Sequence, residues 1–366
     1  MQKKRIICTV TNDLNNDQRM RRICNTLTES NFDVLLIGRK NKNSIALQST
    51  SYKQVRLNLL FFTGKLFYIE YQIRLFFYLL FCKFDIVNAV DLDTILPCLI
   101  ISKLKRKKVI YDAHEYFSEL PEVVSRKITK KIWEIVAKFS IPKMDACYTV
   151  GNSLAKLLEE RYNIPFETIR NVPYQTNIKK EGYSVSKIII YQGAFNEGRG
   201  LEAIIYTMTN LPKEYIFWIV GSGYLTDDLK LLVDQYGISD QVKFWGMIPI
   251  DKLASITIKA DVGINLLENK GLNYYYSLSN KTFDYIQANL PAINIAFPEY
   301  IALNQQYETS VLCKDLSESS ILESIHKIFD QSVYNRLQNN CKIAAQNLIW
   351  EKEKMKLVEI YKNISH

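Results

Sequence analysis

Residues 191–202 read YQGAFNEGRGLE, with Gly193, Gly198 and Gly200 around Arg199, after an apolar run at 187–191 and ahead of an amphipathic run at 201–209. Glycines let a backbone approach a bulky group closely. The free N–H groups at a helix start, together with the positive end of its dipole, attract negative charge. A guanidinium beside them completes the kind of site that holds a diphosphate. A plain strand-to-helix turn with a surface arginine fits the same residues, so the reading depends on what stands elsewhere.

Residues 220–223 (VGSG) make a second glycine turn, with Gly221 and Gly223, and residues 246–250 (GMIPI) a tight turn whose backbone around Met247 is placed to face a nucleobase. A polar and aromatic loop at 267–279 leads into a helix that Ser279 or Asn280 can cap. Lys281 in its first turn opposes the helix dipole, which a bound anion would offset. Asp284, one turn on, is placed to accept hydrogen bonds from a ribose diol. The alternative is that Lys281 and Asp284 form an exposed ion pair three residues apart. His114, one of three histidines, follows an apolar run at 107–112 and is flanked by Asp112, Glu115 and Glu119. Such a histidine suits hydrogen bonding to a substrate, or else ties its own loop. No serine or cysteine nucleophile motif accompanies it, so a catalytic triad is not supported.

These residues need strand ends to sit on. Apolar runs predict strands at 4–10, 33–38, 54–58, 85–90, 107–112, 145–150 and 167–170, alternating with helical patterns at 17–30, 65–82, 94–104, 125–141 and 153–162. A second series predicts strands at 187–192, 215–220, 241–245, 261–266, 291–295 and 310–313, followed by a helical tail at 331–364 with Trp350 near its middle. Unbroken alternation predicts parallel sheets covered by helices, with ligands at the carboxyl ends of the strands. A chain of 366 residues exceeds one core. Two Rossmann-like domains are expected, 1–172 and 173–345, joined in the polar stretch 171–183 and followed by a C-terminal helix at 346–366.

Charge divides the chain as well. Residues 1–172 hold 28 Lys/Arg against 17 Asp/Glu, a balance of +11, and the rest hold 19 against 21, a balance of −2. A basic half points to an anionic partner: nucleic acid, a membrane leaflet or a lipid-linked phosphate. The glycine-rich anion turns lie in the other half, which disfavours nucleic acid. Seven scattered cysteines without a C-x-x-C pair read as reduced thiols of a cytoplasmic protein. The N-terminal apolar run is too short for a signal peptide and reads as a first buried strand. Segment 59–82 is very aromatic, but Gly64, Lys65, Glu70, Gln72 and Arg74 interrupt it too often for a transmembrane span. It is either an amphipathic helix on a membrane or a helix packed on its own sheet. Basic clusters at 103–108 and 126–131 would add attraction to anionic lipid, making peripheral membrane contact an expectation.

Taken in order, the motifs resemble the retaining glycosyltransferases of the GT-B fold, specifically glycosyltransferase family 4, over essentially the whole chain. The family's segments appear here as Gly193…Arg199-Gly200, Val220-Gly-Ser-Gly223, Phe244-Trp-Gly-Met-Ile248, Asn280-Lys-Thr-Phe-Asp-Tyr285 and Leu290-Pro-Ala-Ile293. Asp112-Ala-His-Glu115 matches the family's acceptor-side histidine motif. There are departures. Ala194 stands where relatives often carry arginine, Arg199 replaces the usual lysine, and the family's pair of glutamates is reduced to Asp284, with Tyr276 in place of the first.

The resemblance implies two Rossmann-like domains with a cleft between them and a C-terminal helix crossing back. It implies transfer of a sugar from a nucleoside-diphosphate sugar, UDP or GDP, to a saccharide or lipid-linked acceptor, in surface polysaccharide or glycoconjugate synthesis. His114, Arg199 and Lys281 would carry catalysis, with the donor on Gly193, Gly198, Gly200, Gly221, Gly223, Met247, Ser279, Asn280 and Asp284. Asp17, Arg19 and Glu115 would lie on the acceptor side, the first two in a loop that replaces a glycine pair of the relatives. No metal is expected. Asp91-Leu-Asp93 matches the metal-binding D-x-D of the other large glycosyltransferase fold, but an Asp at a helix start is an ordinary cap. A nucleotide-sugar epimerase of the same fold would need more histidines or carboxylates near the sugar, and a degenerate nucleotide-sugar binder would fit Ala194 and Tyr276.

Overall fold

The structure is a computed structural model that describes residues 3–15, 17–176 and 186–365. Most of the expected linker, residues 177–183, lies outside the described residues. The chain forms two compact units, residues 1–171 with 352–366, and residues 172–351.

The first unit is built on a seven-stranded parallel sheet: β1 (Arg5–Thr9), β2 (Asp33–Arg39), β3 (Lys53–Leu57), β4 (Ile86–Val90), β5 (Lys108–Ala113), β6 (Ala146–Thr149) and β7 (Glu167–Thr168), in the order β3-β2-β1-β4-β5-β6-β7. The second has six parallel strands: β8 (Lys187–Gln192), β9 (Tyr215–Val220), β10 (Val242–Gly246), β11 (Val262–Asn265), β12 (Ala292–Ile295) and β13 (Ser310–Cys313), in the order β10-β9-β8-β11-β12-β13. Every residue of β4 and β12 is buried. Helices cover both faces of each sheet, so these strands read as apolar runs broken only by the buried Asn88 and Asn294. The expected fold class, two parallel-sheet α/β domains, is the one observed.

Strand order reverses between β1 and β4 in one sheet and between β8 and β11 in the other. Loops diverge there, and the crevice at the carboxyl ends opens. In the first unit this brings together the segment after β1, the start of the helix Leu92–Lys105 after β4, and the loop after β5. In the second it brings together the glycine turn after β8 and the loop after β11.

The helix Asn280–Gln287 is fixed over the second switch point by Tyr285. This ring is fully buried, and its hydroxyl reaches the Ile190 carbonyl at 3.0 Å and the Ile264 carbonyl at 3.3 Å. Phe283 and Ile286 pack inward beside it. Gly263 of β11 makes room for the ring.

The tail is not one helix. It runs Gln331–Ala345, breaks, and resumes as Trp350–Asn363. Trp350 is fully buried and its N–H donates to the Pro173 carbonyl at 2.8 Å, so the chain turns to seat it. From Lys352 onward the tail belongs to the first unit, where Tyr361 is buried against Phe32. The cysteines are free thiols, all buried except the half-buried Cys82. Among the described residues no helix is long and apolar enough to cross a membrane.

A Cβ on Gly263 would stand 2.4 Å from Tyr285 Cδ2, well inside contact distance. Gly263→Ala is therefore expected to destabilise the protein by about 1–3 kcal/mol through overpacking. Urea unfolding checks this, and an unchanged midpoint would show that Tyr285 is not seated there.

Candidate functional site

In the second unit the glycine turns after β8 and β9 interlock. Gly193 N donates to the Val220 carbonyl at 2.9 Å, Phe195 N to the Ser222 carbonyl at 3.0 Å, and Leu225 N to the Phe195 carbonyl at 3.2 Å. A Cβ on Gly221, at φ +132°, would lie 1.9 Å from the Gly193 oxygen, and one on Gly223 2.4 Å from the Phe195 oxygen. These two glycines, expected at the donor, are required first by the packing of one turn on the other. Gly198 and Gly200, at φ +79° and +68°, are closed over by Tyr274 and by the Leu266 carbonyl. Gly193 alone among the five opens on the cations: a Cβ there would stand 3.4 Å from Lys281 Nζ.

Lys281 is not half of an exposed ion pair. Its side chain is buried, with Nζ 3.6 Å from the centre of the Tyr191 ring. Tyr191 is itself locked by donation from its hydroxyl to the Ala194 carbonyl at 2.8 Å. Burial pushes the Lys281 ammonium well down from its ordinary range; the neighbouring Arg199 adds to this and Asp284 opposes it. Arg199 lies with its guanidinium 4.9 Å from the Tyr274 ring, and its Nε has no hydrogen-bond partner among the described residues. Neither cation forms an ion pair among the described residues. Asp284 instead accepts from Gln192 Nε2 at 3.0 Å, and the Gln192 oxygen accepts from Thr257.

Ser279 occupies the N-cap position of the helix Asn280–Gln287, but its side chain does not cap it. Its amide donates to the Tyr300 hydroxyl at 3.1 Å, and that hydroxyl donates to Ser279 Oγ at 3.0 Å. The helix Leu201–Met208 also starts without a side-chain cap, from Gly200. Asn280 is exposed, as is Met247. Tyr191, Tyr274 and Gln192, which hold the cations and Asp284, do not stand out in the sequence. A tyrosine at a buried strand end or in the run 274–276 carries no signal separating a support from ordinary core.

In the first unit His114 follows β5 with one ring nitrogen committed. Its Nε2 lies 2.9 Å from Oδ2 of the fully buried Asp112. The other Asp112 oxygen accepts from Arg19 Nη2 at 3.0 Å, and Arg19 Nη1 donates to the Ile169 carbonyl at 2.9 Å. Arg19 is thus buried as a counter-charge beneath His114, not displayed to an acceptor. Asp17 caps its own helix, accepting from Met20 N at 2.8 Å. Glu115 is exposed, whereas Glu119 is buried and paired with Lys130 at 2.7 Å.

Asp91 corrects the simple cap reading. It stands at an N-cap position at φ +56° but makes no side-chain bond to its helix. Its Oδ1 accepts from the His114 backbone N–H at 2.9 Å. Asp93 accepts from the Thr11 hydroxyl at 2.6 Å. Burial works against charge on His114, yet Asp112 prevails, aided by Asp91, and the imidazole is pushed up to about 9. Among the described residues no group of three or more His, Cys, Asp or Glu is placed to hold a metal ion.

The fold thus carries cations at the switch point of one sheet and a carboxylate-held histidine at that of the other. Residues 18–174 match the model of Glycosyltransferase Family 4, and residues 175–348 that of Glycosyl transferases group 1. The chain belongs to glycosyltransferase family 4 and is a glycosyltransferase of the GT-B type. Among solved structures its fold is similar to that of a sucrose-phosphate synthase from Thermosynechococcus elongatus, at a TM-score of 0.79 and 16% identity over 99% of both chains. Anabaena HepE, in complex with UDP and glucose, is similar at 0.76 and 10% identity, over 98% of this chain and 99% of that one. A glycosyltransferase from Rickettsia africae gives 0.74 and 13%, over 100% and 99%. No match is found among curated proteins.

The pairing of His114 with Asp112 has a pH signature. A group whose folded pKa is raised contributes stability that is fully present below its unfolded value and lost as pH rises through the folded one. His114 should therefore stabilise the wild type relative to His114→Gln most below pH about 6.5, with the advantage disappearing as pH rises through about 9. Urea unfolding of both proteins across this range checks it; a flat difference would mean that the pair is not formed.

Proposed function

We propose that the protein transfers a sugar from a nucleoside-diphosphate sugar, with UDP or GDP as carrier, to a saccharide or lipid-linked acceptor. The transfer retains anomeric configuration and serves the synthesis of a surface polysaccharide or glycoconjugate. One observation carries this reading: Lys281 and Arg199 sit side by side, the first buried, and neither forms an ion pair among the described residues. A diphosphate supplies the missing charge. The two uncapped helix starts beside them favour the same ligand. That a protein of similar fold binds UDP and glucose supports a uridine carrier.

In this reading residues 172–351 take the donor and residues 1–171 the acceptor. The bond from the anomeric carbon to the diphosphate oxygen breaks, and its electron pair leaves on the nucleoside diphosphate. The acceptor hydroxyl oxygen bonds to that carbon on the face the diphosphate leaves, and its proton passes to the departing diphosphate oxygen. Arg199 and Lys281 offset the charge developing on the leaving oxygen, where one well-placed donor is worth about 3 kcal/mol. Asp284, oriented by Gln192, takes the ribose hydroxyls, and the turn at Met247 lies against the base. His114, with Nε2 held by Asp112, donates to a hydroxyl of the sugar or of the acceptor. Glu115 contacts the acceptor, while Asp17 and Arg19 act through the loops they hold. The basic N-terminal half makes peripheral contact with an anionic membrane.

Arg199→Ala is expected to fold normally but to transfer sugar at least about a hundredfold more slowly. Product analysis with labelled UDP- and GDP-sugars checks this: normal transfer would remove the diphosphate assignment, and epimerised nucleotide sugar would make the protein an epimerase. Because Lys281 loses its proton more readily than an ordinary lysine, UDP or GDP affinity should fall with rising pH below the usual lysine range near 10.5. Calorimetric titration should show that slope flattened in Lys281→Met; an unchanged slope would place the titrating group elsewhere.

A further inference from the structure

Three neighbouring helices of the first unit are apolar on the side that faces away from the sheet. The helix Gly64–Phe81 buries Phe67, Tyr71, Leu75 and Leu79. Its outer side carries Leu66, Ile69, Ile73, Phe77 and Phe81, with Phe81 82% exposed. The helix Lys127–Ser140 buries Trp133 and Ala137 and turns Ile128, Ile132, Ile135 and Phe139 outward, Ile128 at 75% exposure. That 4-3-4 spacing is one stripe along a helix. The helix Leu92–Lys105 packs against both and adds Ile100 and Leu104. The rings of Tyr68 and Trp133, 5.7 Å apart, link the helix Gly64–Phe81 to the helix Lys127–Ser140.

A contiguous apolar surface of this kind marks a docking face rather than ordinary scatter. Charge names what docks. On the helix Lys127–Ser140, Lys127, Lys131 and Lys138 fall along one flank of the stripe, and all three are exposed. None of them forms an ion pair among the described residues. Lys143 extends the rim, its ammonium 3.1 Å from the centre of the Phe139 ring. An apolar stripe flanked by unpaired lysines fits a lipid surface, with the side chains in the acyl boundary and the ammonium groups among headgroup phosphates. A second copy of the chain would bring the same cations to the seam.

We propose that this three-helix face lies flat on a membrane containing anionic lipid. It deepens, and rests on, the peripheral contact proposed above by assigning it a surface and an apolar component. The test is flotation of the full chain with phosphatidylcholine vesicles, with and without phosphatidylglycerol. Two variants are compared with wild type, Ile132→Ser with Ile135→Ser, and Lys131→Gln with Lys138→Gln. All four positions are on the surface, so thermal midpoints and UDP or GDP binding should stay at wild-type values.

The wild type is expected to float with the anionic vesicles. The isoleucine pair should lose about a hundredfold in affinity, and the lysine pair about thirtyfold on anionic vesicles. An isoleucine variant that floats like wild type overturns this face while leaving the membrane contact standing. A wild type that floats with neither vesicle overturns both. A concentration-dependent dimer that the isoleucine variant abolishes, in the absence of flotation, would make the occupant a second copy of the chain.

Discussion

Two positive charges held together in a place with little water set the terms for the C-terminal half. Burying an ammonium costs several kcal/mol even after the protein relaxes, and a guanidinium beside it adds repulsion. The scaffold must hold both against their tendency to part. Among the described residues neither forms an ion pair, and Asp284 only partly offsets the effect on Lys281. Tyr285 clamps the helix that carries Lys281 to the carbonyls of β8 and β11, and the Tyr191 ring offers its electron-rich face to the ammonium. Interlocked glycine turns keep the backbone beside it thin. The proposed diphosphate would relieve that repulsion, so stability without it and affinity for it would be two readings of one cost.

The N-terminal half is organised around acids instead. Asp91, Asp93 and Asp112 gather around a single imidazole at the switch point of the first sheet. Arg19 serves as the interior counter-ion that lets Asp112 stay charged while fully buried. Asp91 adopts a left-handed backbone conformation, φ +56°, that costs about 1–3 kcal/mol outside glycine. Its carboxylate then holds the His114 amide. Ring and backbone of the histidine are thereby fixed by two different acids, which leaves its orientation little freedom.

The strand positions were readable because a parallel strand covered on both faces is mostly apolar, despite Asn88, Asn265 and Asn294, and the glycines because only glycine fits where backbones stack. Arg199, Lys281 and His114 stood out by position. Their surroundings did not. A lysine in a first helical turn reads the same whether exposed or buried, and its burial is decided by Tyr285 and Gly263 meeting across the fold. Asp91 reads as a cap whether it bonds its own helix or a neighbouring loop. Arg19 looks like a surface residue until Asp112 is placed beneath His114. The break at 346–349 contains neither glycine nor proline, so only the burial of Trp350 reveals it.

That break matters for how the protein is made. Residues 352–363 complete the core of the first unit, with Tyr361 against Phe32 and the Glu353 carboxylate accepting from the Arg170 amide at 3.1 Å. During synthesis the first sheet leaves the ribosome early, while its last piece emerges only after the whole second unit. The interior of the N-terminal half is therefore complete only once residues that follow the whole second unit have been made.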